Sequence, residues 1–294
     1  MKRRTFFSLL PGAISAASGV GRPGSPIWFD SPARHFTESL PLGNGRLGAM
    51  VFGGVREERI VLNESSMWSG SVEDADLEGA AEALPEIRRL LIEGRNVEAE
   101  QLVNRHFVCK GKGSGHARGK DLPYGAYQVL GDLRIEFDHR EDASGYVREL
   151  DLESAVARVS YECGGARFER EAMVSAPAQA VLIRLSCSRA GGLSFRAALS
   201  RPERARVSGD GHFALVMTGT LADGRGGDGV RFAARLEIQA KNARISAENG
   251  SIRVENATEA VLVVTAATNY SRFARLSGDD PARICAEHQR RARR

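Results

Sequence analysis

The sequence is poor in the residues from which metal and redox centres are built. It holds only four cysteines in 294 residues, and none of them forms a C-x-x-C pair. The six histidines also lack the spacing of metal ligands. Both absences argue against a zinc or redox centre and predict a protein without a metal or other cofactor. Cys163 and Cys187 could meet on neighbouring strands, although their wide spacing favours buried free thiols.

Long apolar runs and a uniform charge are absent as well. Beyond the N-terminal segment no stretch is long enough to cross a bilayer, so no membrane association is expected after signal removal. The formal net charge is +4, but four unopposed basic residues lie in 1–22 and four more in 290–294, which leaves −4 for the body. A mildly acidic body with basic ends argues against a nucleic-acid partner.

The N-terminus has the features of an export signal. Arg3 and Arg4 precede Phe6 and a short apolar stretch, which passes into small residues at Ala13–Ser18. This order is typical of a twin-arginine signal, and the stretch is too short for a stable membrane anchor. The pattern predicts a signal peptide over residues 1–22 and a periplasmic or secreted mature protein. A basic, disordered start with chance apolar residues is the alternative.

Short runs of alternating apolar residues dominate the chain from Tyr127 onward, separated by Gly, Asn and Asp turns. Earlier, Leu47–Val55 and Glu58–Asn63 are typical of a hairpin. No such run occupies 200–210, which is expected to be a loop. These patterns predict a mainly β fold, a large antiparallel two-sheet β-sandwich.

Helical spacing occurs in two places. Apolar residues recur in this way over residues 84–107 with a break near Gly94, which predicts a short helical pair inserted into the sandwich and packed on one side or end. Near the C-terminus, Asp280 is a candidate N-cap and Pro281 suits the first turn of a helix. The predicted domains are a signal peptide at 1–22, a sandwich at 23–275 and the truncated start of a helical linker at 276–294.

Six segments, taken in order, resemble glycoside hydrolase family 95 and cover nearly the whole mature chain. They are Trp28 with Pro32-Ala33, Leu40–Gly48 leading into Met50–Gly53, Leu62–Gly70, the helical pair Leu84–Phe107, Tyr127–Phe137, and Ala266–Tyr270 ahead of Asp280-Pro281.

The resemblance implies an N-terminal domain of an α-L-fucosidase-type enzyme. In that family a β-sandwich is followed by a helical linker and an (α/α)6 barrel, and the barrel holds the acid and base of an inverting, exo-acting hydrolysis. The implied partner is a fucosylated glycan, bound through a catalytic domain supplied in cis or from a split gene. Position 294 precedes the barrel, so no catalytic residue can be assigned, and inactivity of the chain alone is expected.

Two of these segments contain candidate site residues. Asn44 and Arg46 lie among three glycines, a pattern suited to a tight backbone with projecting polar side chains. Glu64 and Trp68 follow a predicted strand, and an aromatic face can stack on a sugar ring. We expect these four residues to share one surface as substrate-crevice or domain-interface groups. The alternative is a plain corner at Gly43–Gly48 and a Trp68 that fills the core.

Two other functions stay open. One is a stand-alone carbohydrate-binding β-sandwich, and the other is a fragment without activity. A complete polar surface would favour the binding module, whereas a contiguous exposed apolar patch would favour a severed domain.

Overall fold

The computed structural model describes residues 26–71, 76–107, 125–271 and 275–293. The predicted signal peptide at 1–22 and Cys109 lie outside these ranges.

Two antiparallel sheets make up the sandwich in the described part of the chain. Sheet 1 contains, in spatial order, β1 (Ile27–Phe29), β6 (Ser144–Asp151), β7 (Val156–Cys163), β8 (Ala166–Ser175), β9 (Ala180–Cys187), β16 (Glu259–Thr268), β13 (Asp228–Lys241), β12 (Ala214–Ala222) and β11 (Ala205–Gly209). Sheet 2 contains β14 (Arg244–Glu248), β15 (Ser251–Ala257), β10 (Leu193–Ser200), β5 (Gly131–Phe137), β4 (Glu57–Glu64), β3 (Leu47–Val51) and β2 (Leu40–Gly43). A short ribbon pairs β17 (Tyr270–Ser271) with β18 (Arg275–Leu276).

The alternation of apolar and polar residues explains why the sheets face each other. On β10 every second side chain is buried, from Leu193 to Leu199, and the same pattern recurs on β5. These inward side chains form one core with those of sheet 1, including Phe232 and Leu236. Burial of each large apolar side chain contributes about 1.5–3 kcal/mol. The predicted mainly β two-sheet sandwich is confirmed.

The helical pair is present but is packed mainly on itself. α1 (Leu84–Ile92) and α2 (Asn96–His106) enclose an apolar cluster, separate from the main core, that contains Ile87, Leu90 and Ala99. This arrangement differs from the predicted packing against the sandwich, because the inward face of the pair is filled by its own side chains.

A third helix lies on the outer face of sheet 1. α3 (Pro281–Ala292) begins at Asp280, whose side chain accepts a hydrogen bond from the Ala282 amide at 3.0 Å. Cys285 packs against small side chains of β13 and β16, and its carbonyl accepts a bond from the Thr265 hydroxyl at 3.1 Å. The predicted N-cap is therefore present, and the helix is held against the sheet along its length.

The prediction of a loop at 200–210 was wrong for Ala205–Gly209. This stretch forms β11, the edge strand of sheet 1, and pairs with β12. This strand could not be predicted from the sequence, because four of its five residues are exposed and apolar residues do not alternate along it.

The described cysteines are free and buried. Cys163 lies on β7 and Cys187 on β9, with β8 between them. The two residues are thus not on neighbouring strands.

Candidate functional site

One strand connects two contrasting regions of the molecule. Glu58 and Glu64 lie on the inward face of β4, with Ile60 and Leu62 between them. We call the region near Glu58 the groove end, because an open surface groove lies there. It contains Gly53–Glu58 and Asp138–Tyr146. The Trp68 end, near Glu64, contains Asn44–Arg46, Glu64–Gly70 and Tyr127.

At the Trp68 end, Asn44 shapes the turn between β2 and β3. Its Oδ1 accepts hydrogen bonds from the amides of Arg46 at 3.0 Å and Leu47 at 2.8 Å. Its Nδ2 donates to the Ser175 carbonyl, on β8, at 3.0 Å. Gly45 has a φ of 88°, which a residue with a side chain rarely adopts. Asn44 therefore fixes the turn of sheet 2 and ties it to sheet 1.

Arg46 connects three further segments. Its Nη1 lies 3.3 Å from Glu64 Oε1 and donates to the Ala266 carbonyl at 2.8 Å. Its Nε donates to Gln179 Oε1 at 2.6 Å, and Gln179 has a φ of 52° in the left-handed region. Such a backbone costs a non-glycine residue about 1 kcal/mol or more, so surrounding contacts must hold it. The Arg46 side chain keeps 28% of its surface exposed.

Glu64 lies beneath this surface, with its side chain 4% exposed. Its Oε2 accepts bonds from the Ser66 amide at 2.8 Å and hydroxyl at 2.6 Å. The Ser66 hydroxyl also lies 2.6 Å from that of Thr268 on β16. Both carboxylate oxygens are thus engaged by internal donors.

Trp68 remains half exposed, at 51%, and pairs with Tyr127, at 44%. The two ring centroids are 5.8 Å apart at an interplanar angle of 65°. The Tyr127 hydroxyl donates to Asn63 Oδ1 at 3.0 Å, and a backbone bridge joins the two aromatic residues. This is the edge-to-face geometry that aromatic pairs prefer.

The backbone beneath the two rings is closely bonded. Ser69 donates its amide to the Ala126 carbonyl at 3.0 Å, and its hydroxyl accepts from the Ala126 amide at 3.1 Å. Met67, at 0% exposure, anchors the segment in the core and accepts from the Gln128 amide at 2.8 Å. A Cβ on Gly125 would stand 1.9 Å from the Ser69 carbonyl, so this close approach requires glycine.

The structure places the four candidate residues at one end of the sandwich. Asn44, Arg46 and Glu64 form one hydrogen-bonded network, and Trp68 follows Glu64 by four residues. Trp68 projects outward, whereas Glu64 is buried and acts as a support for Arg46. Sequence reasoning missed Tyr127, and an aromatic residue at the start of a family-like segment was the available signal.

The groove end contains a sealed ion pair. Glu58, at 0% side-chain exposure, contacts Arg170 of β8, at 3%. The Gly53 amide donates to Glu58 Oε1 at 2.9 Å, and Arg170 Nη2 donates to the Gly54 carbonyl at 3.1 Å. The guanidinium also lies 4.8 Å from the centroid of Phe137. The pair crosses between the sheets and has no open face for a ligand.

Burial shifts the pKa values of two groups at this end. It raises the pKa of Glu58 by withdrawing the carboxylate from water, an effect that the charge of Arg170 and the Gly53 amide offset in part. Burial, together with the Arg170 charge, lowers the pKa of His139 from 6.5 to about 4. His139 Nε2 lies 2.7 Å from the Tyr161 hydroxyl, which gives the neutral ring a partner.

An open groove of about 400 Å³ lies outside the sealed pair. It is lined by Asp30, Ser31, Pro32, Val55, Arg56, Glu141, Asp142, Ala143 and Tyr146. Arg56 pairs with Asp142 at 3.1 Å on its rim.

Among the described residues, no cluster of three histidine, cysteine or acidic side chains could hold a metal ion. None of the helices in the described ranges is both long and apolar enough to cross a membrane.

A family model described as "Glycosyl hydrolase family 65, N-terminal domain" matches residues 27–272. The chain belongs to this family. The match extends from β1 through β17, so it includes both sheets, the helical pair and all four candidate residues.

Curated relatives carry fucosidase names. The chain is 33% identical to "Alpha-L-fucosidase 2" of Arabidopsis thaliana over 93% of its length, and 34% identical to "Probable alpha-fucosidase A" of Aspergillus niger over 60%. It spans only 34% and 22% of those two proteins. A solved structure, "Putative kojibiose phosphorylase from human microbiome", has a TM-score of 0.45 at 9% identity, covering 91% of this chain and 37% of that one.

The comparisons confirm the expected N-terminal domain of a glycoside hydrolase with fucosidase relatives. The motifs resemble family 95, whereas the matching model is named for family 65, and both descriptions specify an N-terminal domain. The chain is a fucosidase-like glycoside hydrolase N-terminal domain.

Proposed function

We propose that the chain is the N-terminal domain of an exported enzyme that removes terminal α-L-fucose from glycans with inversion of the anomeric configuration. We also propose that this chain is inactive on its own. The observation that carries the proposal is the 33% identity to the plant α-L-fucosidase over 93% of this chain. The glycan is the proposed carbohydrate partner, and a catalytic domain in cis or from a split gene completes the enzyme.

The geometry at the Trp68 end supports inactivity of the isolated chain. Inverting hydrolysis requires two carboxyl groups about 6.5–9.5 Å apart, with room for a water between them. Glu64 is buried and bonded to Arg46 and Ser66, so it is not free to act as an acid or base. Asn44, Arg46 and Trp68 instead form a wall of the substrate crevice or contact the catalytic domain, and Glu64 supports Arg46 from beneath.

A domain exchange tests the proposal. The matching segment of the Arabidopsis fucosidase is replaced by this chain, and hydrolysis of an aryl α-L-fucoside is measured for the chimera and for the chain alone. We expect turnover by the chimera and none by the chain above the uncatalysed rate. A folded chimera that is inactive on α-L-fucosides, or activity of the chain alone that survives repurification, would contradict the proposal.

A stand-alone carbohydrate-binding sandwich is the second candidate. The exposed pair Trp68 and Tyr127 favours it, since such rings suit sugar binding without catalysis. Sugar binding by the chain together with an inactive chimera would select this function.

Export to the periplasm or medium is proposed from Arg3 and Arg4 alone, which lie outside the described residues. Replacing both by lysine should block twin-arginine transport of a fused reporter. Unchanged delivery of the reporter would remove the basis for this compartment.

A further inference from the structure

Two exposed aromatic residues at the Trp68 end are held in a fixed arrangement. Trp68 and Tyr127 expose 51% and 44% of their surface, although large aromatic rings ordinarily gain stability by burial. The backbone below them is fixed by the Met67, Ser69 and Ala126 bonds, so the two rings need no reordering before they meet a ligand.

Among the described residues, the side chain that bonds Tyr127 and the serines next to Trp68 are neutral. Asn63 bonds the Tyr127 hydroxyl through its Oδ1, and its Nδ2 has no hydrogen-bond partner among the described residues. Ser65 is exposed, while Ser66 and Ser69 are half buried. Glu64, four residues before Trp68, is buried and paired with Arg46. A surface of aromatic faces with neutral hydroxyl and amide groups fits an uncharged, hydroxyl-rich ligand.

We propose that Trp68 and Tyr127 form a binding platform for a neutral oligosaccharide. The electron-rich ring face attracts the polarised C–H groups of a pyranose, while Asn63 Nδ2 donates to a sugar hydroxyl at the edge. This inference rests on the proposed function, whose carbohydrate substrate it assigns to named side chains.

The two tryptophans of the chain provide a matched pair of reporters. Trp28, 63% exposed, lies on β1 at one edge of sheet 1. Trp68 lies near the opposite edge, because Gly70 donates its amide to the Ala222 carbonyl of β12 at 2.8 Å. In the full chain, Trp28→Phe leaves Trp68 as the reporter, and Trp68→Phe leaves Trp28.

The test titrates both variants with a neutral fucosylated trisaccharide, with its defucosylated disaccharide and with free L-fucose, and follows indole emission. We expect a saturable change for Trp28→Phe with the trisaccharide, and no change for Trp68→Phe. Adding Tyr127→Ala to Trp28→Phe should weaken binding at least tenfold, whereas Tyr127→Phe should weaken it less because the ring remains. Circular dichroism confirms that each variant is folded.

The outcomes separate this inference from the proposed function. An unchanged Trp68 emission in the folded Trp28→Phe variant at tens of millimolar of each sugar overturns the platform. An equal change in both variants overturns it as well, because the signal is then not specific to Trp68. If the platform fails while the fucosidase chimera is active, the proposed function stands. If the platform binds and the chimera is inactive, the platform stands and the proposed function fails.

Discussion

Glu58 and Glu64 occupy equivalent inward positions at the two ends of β4, and each pairs with an arginine. At the groove end the partner, Arg170, is 3% exposed, whereas at the Trp68 end the partner, Arg46, is 28% exposed. A pair closed on both sides can only connect the sheets. A pair whose arginine reaches the surface can also position groups that meet a ligand or another domain.

The largest effect is expected from breaking the sealed pair. Arg170→Met leaves the Glu58 carboxylate buried without its partner, which should lower the free energy of unfolding by about 3–5 kcal/mol. Urea denaturation measures the loss. The double variant Glu58→Leu with Arg170→Met should recover most of it, and a double variant as unstable as the single one would contradict the interpretation.

Arg46→Met should lower the free energy of unfolding by about 2 kcal/mol, which is less than the effect of Arg170→Met. The variant loses the bonds to Glu64, Gln179 and Ala266, but water partly reaches this site. The same urea experiment compares it with Arg170→Met. A loss equal to that of Arg170→Met would remove the proposed difference between the two ends.

The pH dependence of stability should arise at the groove end. The pKa of His139 is about 4 in the fold and 6.5 ordinarily, so the unfolded chain binds the proton more readily. The contribution of neutral His139 to the free energy of unfolding is therefore complete above pH 6.5 and is lost as the pH falls towards 4. His139→Asn should flatten this decline by about 1 kcal/mol, since the ring is only half buried. An unchanged pH profile would argue against a neutral, buried His139.

The smallest effect on stability is expected at Trp68. Trp68→Ala should change the free energy of unfolding by less than about 1 kcal/mol, because half of the ring is already exposed. Met67→Ala is the matched control, and it should cost about 2–5 kcal/mol because Met67 is fully buried. Equal losses would mean that Trp68 is a packing residue.

The sequence predicted the sandwich because inward apolar residues alternate along strands such as β10. It did not predict the contact of Glu58 with Arg170, which are 112 residues apart, because spacing carries no information on partners across two sheets. The only indication of this pair in the sequence was a charged residue at an inward position of β4 and of β8. The same applies to Trp68 and Tyr127, which an inserted helical pair separates in the sequence.

The four candidate residues were predicted to share a surface, but their exposure could not be predicted. Arg46 and Glu64 become a network only when β8, β9 and β16 bring Gln179 and Ala266 beside the β2–β3 turn. The outward direction of Trp68 depends on the bonds between Ser69 and Ala126, across the insertion.

The most direct test of the contrast between the two ends uses the fucosidase chimera. Trp68→Ala is compared with the double variant Glu58→Leu, Arg170→Met for kcat/KM on a fucosylated oligosaccharide and for Tm. Trp68→Ala should lower kcat/KM about tenfold or more, equivalent to about 1.4 kcal/mol, with little change in Tm. The double variant should change Tm only slightly, because it recovers most of the stability of the sealed pair, and should leave kcat/KM unaltered. An unchanged kcat/KM in folded Trp68→Ala would contradict the assignment of function to the Trp68 end.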